Sequence, residues 1–140
     1  MRLINTLPAL LICFCSFATK TVTAQSNPLN GVWVPVKEEL GDQSLPPATF
    51  DKQKLTINDS LYTFVAESVD KGVVRYAGNR MDIYGKEGVN HGKHFTAIYK
   101  YENELLTICY KLAGGDYPVS FDTNGKPLFF LSVFKKEKAK

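Results

Sequence analysis

His91 and His94 stand three residues apart, with Asp82 and Glu87 close by in the sequence. Two imidazoles and a carboxylate are a zinc-binding set when all three converge on one loop, but His-x-x-His alone has little specificity. The plainer alternative is two exposed loop histidines, and no metal site is assigned. The stretch 88–93 ends in Gly92-Lys93 and superficially resembles a phosphate-binding loop. It lacks the glycine spacing that must precede Gly-Lys, and His94 occupies the place where Ser or Thr would bind magnesium. Cys109 lies between Ile108 and Tyr110 in a β-rich run, which suits a small packing residue. A nucleophilic cysteine needs access and a lowered pKa, usually from a helix start or a neighbouring base. No Gly-x-Ser-x-Gly or His-Glu-x-x-His occurs, and the acids are too scattered to nominate a catalytic pair. The expectation is a protein that is not an enzyme and has no cofactor.

Tyrosine is the other residue type with something to offer. Of the seven, Tyr62, Tyr76, Tyr84, Tyr99 and Tyr110 are the candidate ligand-binding set, with Tyr101 and Tyr117 beside them. Tyrosine presents a flat apolar face with one hydroxyl, which fits an aromatic, lipid or sugar ligand. The competing explanation is structural, since tyrosine suits strands in any case.

The elements that must carry these residues are short. Val, Ile, Thr, Tyr and Phe crowd stretches at 31–39, 52–58, 61–67, 72–77, 80–84, 94–101, 104–112 and 128–135. Between them lie Asn58-Asp59-Ser60, Asp70-Lys71-Gly72, Gly78-Asn79, Glu102-Asn103 and Asn124-Gly125, all plausible hairpin corners. Leu106, Ile108, Tyr110 and Leu112 alternate with Leu105, Thr107, Cys109 and Lys111, and Leu55 and Ile57 face away from Lys52, Lys54 and Thr56. About eight successive antiparallel strands need their edges covered, and closing the sheet on itself does so most economically. The expected fold is all-β, an antiparallel up-and-down barrel, with a two-sheet sandwich as the rival. Trp33, Leu55, Ile57, Phe64, Ile98, Leu106 and Ile108 are the bulky inward candidates, which implies a shallow or partial cavity. Two longer connections stand out, 40–49 with Pro46-Pro47 as a flap over one end, and the glycine-rich 85–93. The run 129–134 is apolar on both faces, so either another segment covers it or a partner does.

The first residues read as an address. Met1-Arg2, an apolar run over 7–18 and the small residues Val22-Thr23-Ala24 make a secretory signal peptide cut between Ala24 and Gln25. The apolar run is too short to span a bilayer as a helix. Residues 1–24 carry Arg2 and Lys20 and no acid, so the chain's seventeen basic and fourteen acidic side chains become fifteen and fourteen after cleavage. That balance gives no support for a nucleic-acid partner. Cys13 and Cys15 leave with the signal, and Cys109 stands without a disulfide partner. The expected product is a secreted or periplasmic single domain over 25–140, held together by its apolar core. The full 140-residue sequence, 44% hydrophobic and 22% charged, has the composition of a globular chain rather than a disordered one.

Asn30-Gly31-Val32-Trp33 at the start of the first strand resembles the Gly-x-Trp opening of lipocalins. Asp82-Ile83, the 85–92 loop, Ala97-Ile98-Tyr99, Leu105 to Tyr110, Pro118 and Phe121 follow in an order similar to a family of small secreted bacterial lipocalin-like domains, found as multiple paralogues in planctomycetes. The resemblance covers roughly 29–134 and implies a calycin-type barrel, with Gly31 allowing tight chain entry and Trp33 plugging the closed end. Two positions depart from the family pattern. Asp116-Tyr117 precede Pro118 where the family often has arginine, which argues against a shared charged site there. Lys135 and Lys136 end the last strand where arginine would pack over the tryptophan; lysine can lay its stem on the indole but lacks the planar fork. The functional expectation is a non-catalytic barrel holding a small apolar or aromatic molecule at its open end. The alternative is a module that binds an extracellular protein, such as an inhibitor of a hydrolase.

Overall fold

The computed structural model describes residues 25–138. The expected signal segment over 1–24, with Cys13 and Cys15, lies outside the described residues. The strands are β1 (Gly31–Leu40), β2 (Gln43–Ser44), β3 (Lys54–Asn58), β4 (Leu61–Val65), β5 (Val69–Ala77), β6 (Arg80–Glu87), β7 (His94–Glu102), β8 (Leu105–Lys111) and β9 (Phe129–Lys136), with one short 3-10 turn at Pro47–Thr49. Each of β3 to β9 pairs antiparallel with its sequence neighbour, and β1 pairs with both β3 and β9. Eight strands thus close an up-and-down barrel, with β2 appended to β1 as a two-residue hairpin edge. Among the described residues no helix is long and apolar enough to cross a membrane.

Tight corners gather at one end. Asn58 pairs with Leu61, Ala77 with Arg80 and Glu102 with Leu105, each across a two-residue loop. In the last of these both Asn103 (φ 52°) and Glu104 (φ 63°) are left-handed, the backbone of a type I′ turn. One expected corner moves: Asp70, Lys71 and Gly72 lie within β5, and the chain reverses at 66–68, where the Ala66 amide bonds the Ser68 carbonyl. Gly72 stays in the sheet opposite Tyr62, whose ring occupies the space a Cβ there would need.

Trp33 sits at this closed end, fully buried, donating from Nε1 to the Leu29 carbonyl at 2.8 Å and meeting Tyr101 edge-on at 5.6 Å. Lys136 lays its Nζ 5.4 Å from the centre of the indole ring. Gly31 is favoured by its φ of +138°, and the Lys136 stem lies over the space a Cβ there would take. The inner wall is Trp33, Leu55, Ile57, Tyr62, Val74, Met81, Ile83, Ala97, Leu106, Ile108 and Phe134, packed with Leu29.

Ile98 does not belong to that wall. Ala97 takes the inward place on β7, and Ile98 packs outside the barrel with Cys109 and Leu131. Residues 112–128 form a strap across this outer face, bringing Tyr117 and Phe121 onto the second apolar cluster together with Phe129 and Val133. The strap is tied by the Leu112 amide to the Leu128 carbonyl (2.9 Å), the Thr96 hydroxyl to the Asp116 carbonyl (3.2 Å) and the Gly125 amide to Asp42 (2.6 Å). The doubly apolar strand at the C-terminal end is explained by this cover: Phe130 and Phe134 face in, while Leu131 and Val133 face the strap.

Candidate functional site

The wide end of the barrel, opposite Trp33, carries the longer connections. Beneath it lies a cavity of about 210 Å³, lined by Leu55, Ile57, Phe64, Val74, Met81, Ile83, Phe95, Ile108, Leu112, Phe130 and Phe134, by Tyr62, Tyr76 and Tyr110, and by Glu38, Asp70 and Asn90. Alternation explains most of this lining, since every second residue of a strand faces the lumen. Tyr62, Tyr76 and Tyr110 of the expected tyrosine set are therefore brought together.

Tyr84 and Tyr99 are not among the cavity residues. Met81, Ile83 and Gly85 take the inward positions of β6, so Tyr84 is turned to the outer wall, where it stacks on His94 at 4.4 Å with the rings 3° from parallel. Tyr99 lies near the closed end, edge-on to Tyr76 at 6.0 Å, with its hydroxyl on the Gly78 carbonyl at 3.1 Å. Of the three lining tyrosines, Tyr110 has its hydroxyl pKa pushed up by burial and by the charge of Glu38. Burial likewise raises that of Tyr62, with Asp70 adding to the effect. The Tyr76 hydroxyl is buried without a hydrogen-bond partner; the nearby Asn27 side chain is committed to Asp59 and to the Leu29 amide.

Glu38 is the least expected member. Strict alternation from Trp33 and Pro35 would turn Lys37 inward and Glu38 out. The β1–β9 register instead jumps between Pro35 and Lys37, leaving Val36 as an extra residue in a bulge, and the parity of the strand reverses. Glu38 then lies opposite Ser132, 2% exposed, with the Ser132 hydroxyl donating to Oε1 at a long 3.4 Å. Burial with so little compensation raises its carboxyl from 4.5 to about 7. Pro35, which has no N–H for the ladder, was the one sequence sign that this strand is irregular.

Asp70 enters from β5 and is held by the next loop. The Asn90 amide donates to Asp70 Oδ1 at 3.0 Å, and Asn90 Nδ2 donates to Oδ2. Gly85 makes the loop's inward fold feasible: an added Cβ would stand 1.9 Å from the Asn90 carbonyl oxygen. The 85–93 segment thus reaches the mouth of the cavity through Asn90. The 40–49 connection, expected as a flap, supplies no lining residue beyond β1. Sequence reasoning passed over Glu38, Asp70 and Asn90, because each is polar and none sits in a recognisable motif.

The residues first considered for chemistry lie elsewhere. His94 Nε2 is 2.7 Å from Asp82 Oδ1 on the outer wall, and the Tyr117 hydroxyl donates to the other oxygen of Asp82. Tyr117 and then His94 hold the Asp82 carboxyl below its usual range. His91 is exposed in the loop before β7. Among the described residues no three His, Cys, Asp or Glu side chains come together as a metal-binding group. Cys109 is fully buried under the strap, and burial pushes its thiol up to about 11, away from the thiolate a nucleophile requires.

Comparison with protein-family models, with curated proteins and with solved structures finds no match to this chain.

Proposed function

We propose that the chain is an exported, non-catalytic, lipocalin-like barrel that holds one small apolar or aromatic molecule inside its open end. The supporting observation is the cavity itself, about 210 Å³ with predominantly apolar and aromatic walls. A dry apolar cavity of roughly 150 Å³ accepts benzene, whereas ordinary ligand pockets begin near roughly 300 Å³. The space therefore suits a single ring or a short chain better than a sterol or a long fatty acid. Trp33 under Lys136 at the closed end supports the lipocalin-like reading.

The alternative, a module that docks an extracellular protein, drew on two segments. The strap now covers the 129–134 strand, which leaves Val89 on the 85–93 loop as the exposed apolar feature of that pair. The carrier reading is the better supported. Its test is chemical-shift mapping with toluene. Millimolar toluene is expected to move the amides of Ile83, Ile108 and Phe130, and Val74→Phe, which fills the cavity, to abolish the response while the far-UV spectrum stays that of the barrel. Shifts confined to the outer wall, or none at all, would reject an internal site.

A further inference from the structure

The cavity has a sign as well as a size. Its charged lining residues are Glu38 and Asp70, both acids, and no lysine, arginine or histidine lines it; Lys93 stays outside the lining, with Nζ 3.3 Å from Asn90 Oδ1. Resting on the internal-site reading above, we infer that the molecule it takes is a small organic cation, an ammonium carried on a single aromatic ring or a short alkyl arm.

The two acids are not equivalent. Both oxygens of Asp70 already accept N–H groups from Asn90, so this carboxylate serves to hold the loop. Glu38 accepts one long hydrogen bond from Ser132 at 3.4 Å, and it is almost wholly removed from solvent. An ionised carboxylate has room for about four hydrogen bonds. Most of that capacity is unfilled, in surroundings that disfavour the bare charge. A purely structural acid in such a place would be expected to have stronger partners, or to be replaced by an apolar residue of similar volume.

An ammonium supplies what is missing. It donates up to three hydrogen bonds and neutralises the carboxylate, and the cost of stripping water from Glu38 has already been met in folding. The aromatic walls act in the same direction. Tyr110 and Phe130 lie 5.8 Å apart by ring centres near the Glu38 end, and the faces of such rings attract cations and repel anions. A carboxylate-bearing ligand would meet two acids and no counter-charge within the lining. Where Glu38 still carries its proton, docking of the ammonium expels that proton to solvent, leaving the ion pair.

Calorimetry at pH 8 with benzylamine, benzyl alcohol and benzoate separates the cases, because the three share one ring and differ in charge. Benzylamine, an ammonium at that pH, is expected to bind at least ten times more tightly than benzyl alcohol, and benzoate not measurably. Glu38→Gln should bring benzylamine within twofold of benzyl alcohol, with the far-UV spectrum of the barrel retained as the check that the variant is folded. Equal binding of amine and alcohol to the native protein, a preference that survives Glu38→Gln, or benzoate as the tightest of the three would overturn the cationic assignment and leave the internal site standing. Binding of none of the three would remove the site itself.

Discussion

At the scale of single residues, the Glu38 carboxyl gives the barrel a pH dependence whose direction can be worked out. The folded state holds its proton to about pH 7 and the unfolded chain to 4.5, so between those values the native protein binds the proton that the unfolded chain has released. Stability is therefore full below pH 4.5, falls as the pH rises through that interval, and is level above it. Glu38→Gln keeps the shape and removes the titration. The variant should match the parent at pH 4 and exceed it by roughly 3 kcal/mol at pH 8, since each tenfold change in proton affinity is worth about 1.4 kcal/mol. Urea unfolding at pH 4, 6 and 8 measures this; a difference that does not vary with pH would mean that the carboxyl is hydrated in the folded protein. Asp82, whose pKa is lowered by Tyr117 and His94, acts in the opposite sense, adding stability at neutral pH that is lost on acidification. Because Asp82 lies on the partly exposed outer wall, screening keeps its share small.

At the scale of elements, what decides the site is how strands and loops are offset. Gly85 faces the lumen from β6, and the loop carrying Asn90 folds down onto it. Gly85→Ala would drive a methyl group into the Asn90 carbonyl, so the loop must lift and Asp70 must lose both of its donors. The expected result is a loss of about 1–3 kcal/mol, with faster hydrogen exchange at the Asn90 amide while Ile108 in β8 stays protected. Unchanged exchange at Asn90 would show that the loop is held by something other than this contact. Elements of this kind were only partly legible in the sequence. The run Leu106 to Leu112 announced its inner face through its alternation, and Trp33 and the Gly78-Asn79 corner were visible for similar local reasons. The corner read at Glu102-Asn103, by contrast, falls one residue later, at Asn103-Glu104. Tyr84 was equally readable from Met81 and Ile83, the two inward positions that precede it, had parity been applied to every tyrosine. Ile98 shares its face of β7 with His94, Thr96 and Lys100, so parity placed it outside while its apolar side chain argued for the inside; what buries it there is the strap, a tertiary event. Glu38 was least legible of all, because a single inserted residue at Val36 inverts everything after it, and a bulge is set by strand pairing rather than by composition.

At the scale of the whole molecule, the barrel is closed by β1 and β9, which come from opposite ends of the domain and are joined through seven registered pairs from Trp33–Lys136 to Leu40–Phe130. No described disulfide assists, because Cys109 is free. Closure therefore depends on contacts distant in sequence, the case in which folding is slow, in milliseconds to seconds. It also depends on β1 being held on both sides at once, since Trp33 pairs with Leu55 of β3 as well as with Lys136 of β9. Releasing either seam exposes the indole and the inner wall together, which leaves little scope for a stable half-open state. Trp33 is the chain's single tryptophan, so its fluorescence reports on the seam alone, while far-UV circular dichroism reports on all the strands. The two signals should trace one urea transition with the same midpoint and slope. A red-shifted indole at urea concentrations that leave the strand signal intact would mean that the closed end opens by itself, and that the plug formed by Trp33 and Lys136 is a lid on the barrel rather than part of its closure.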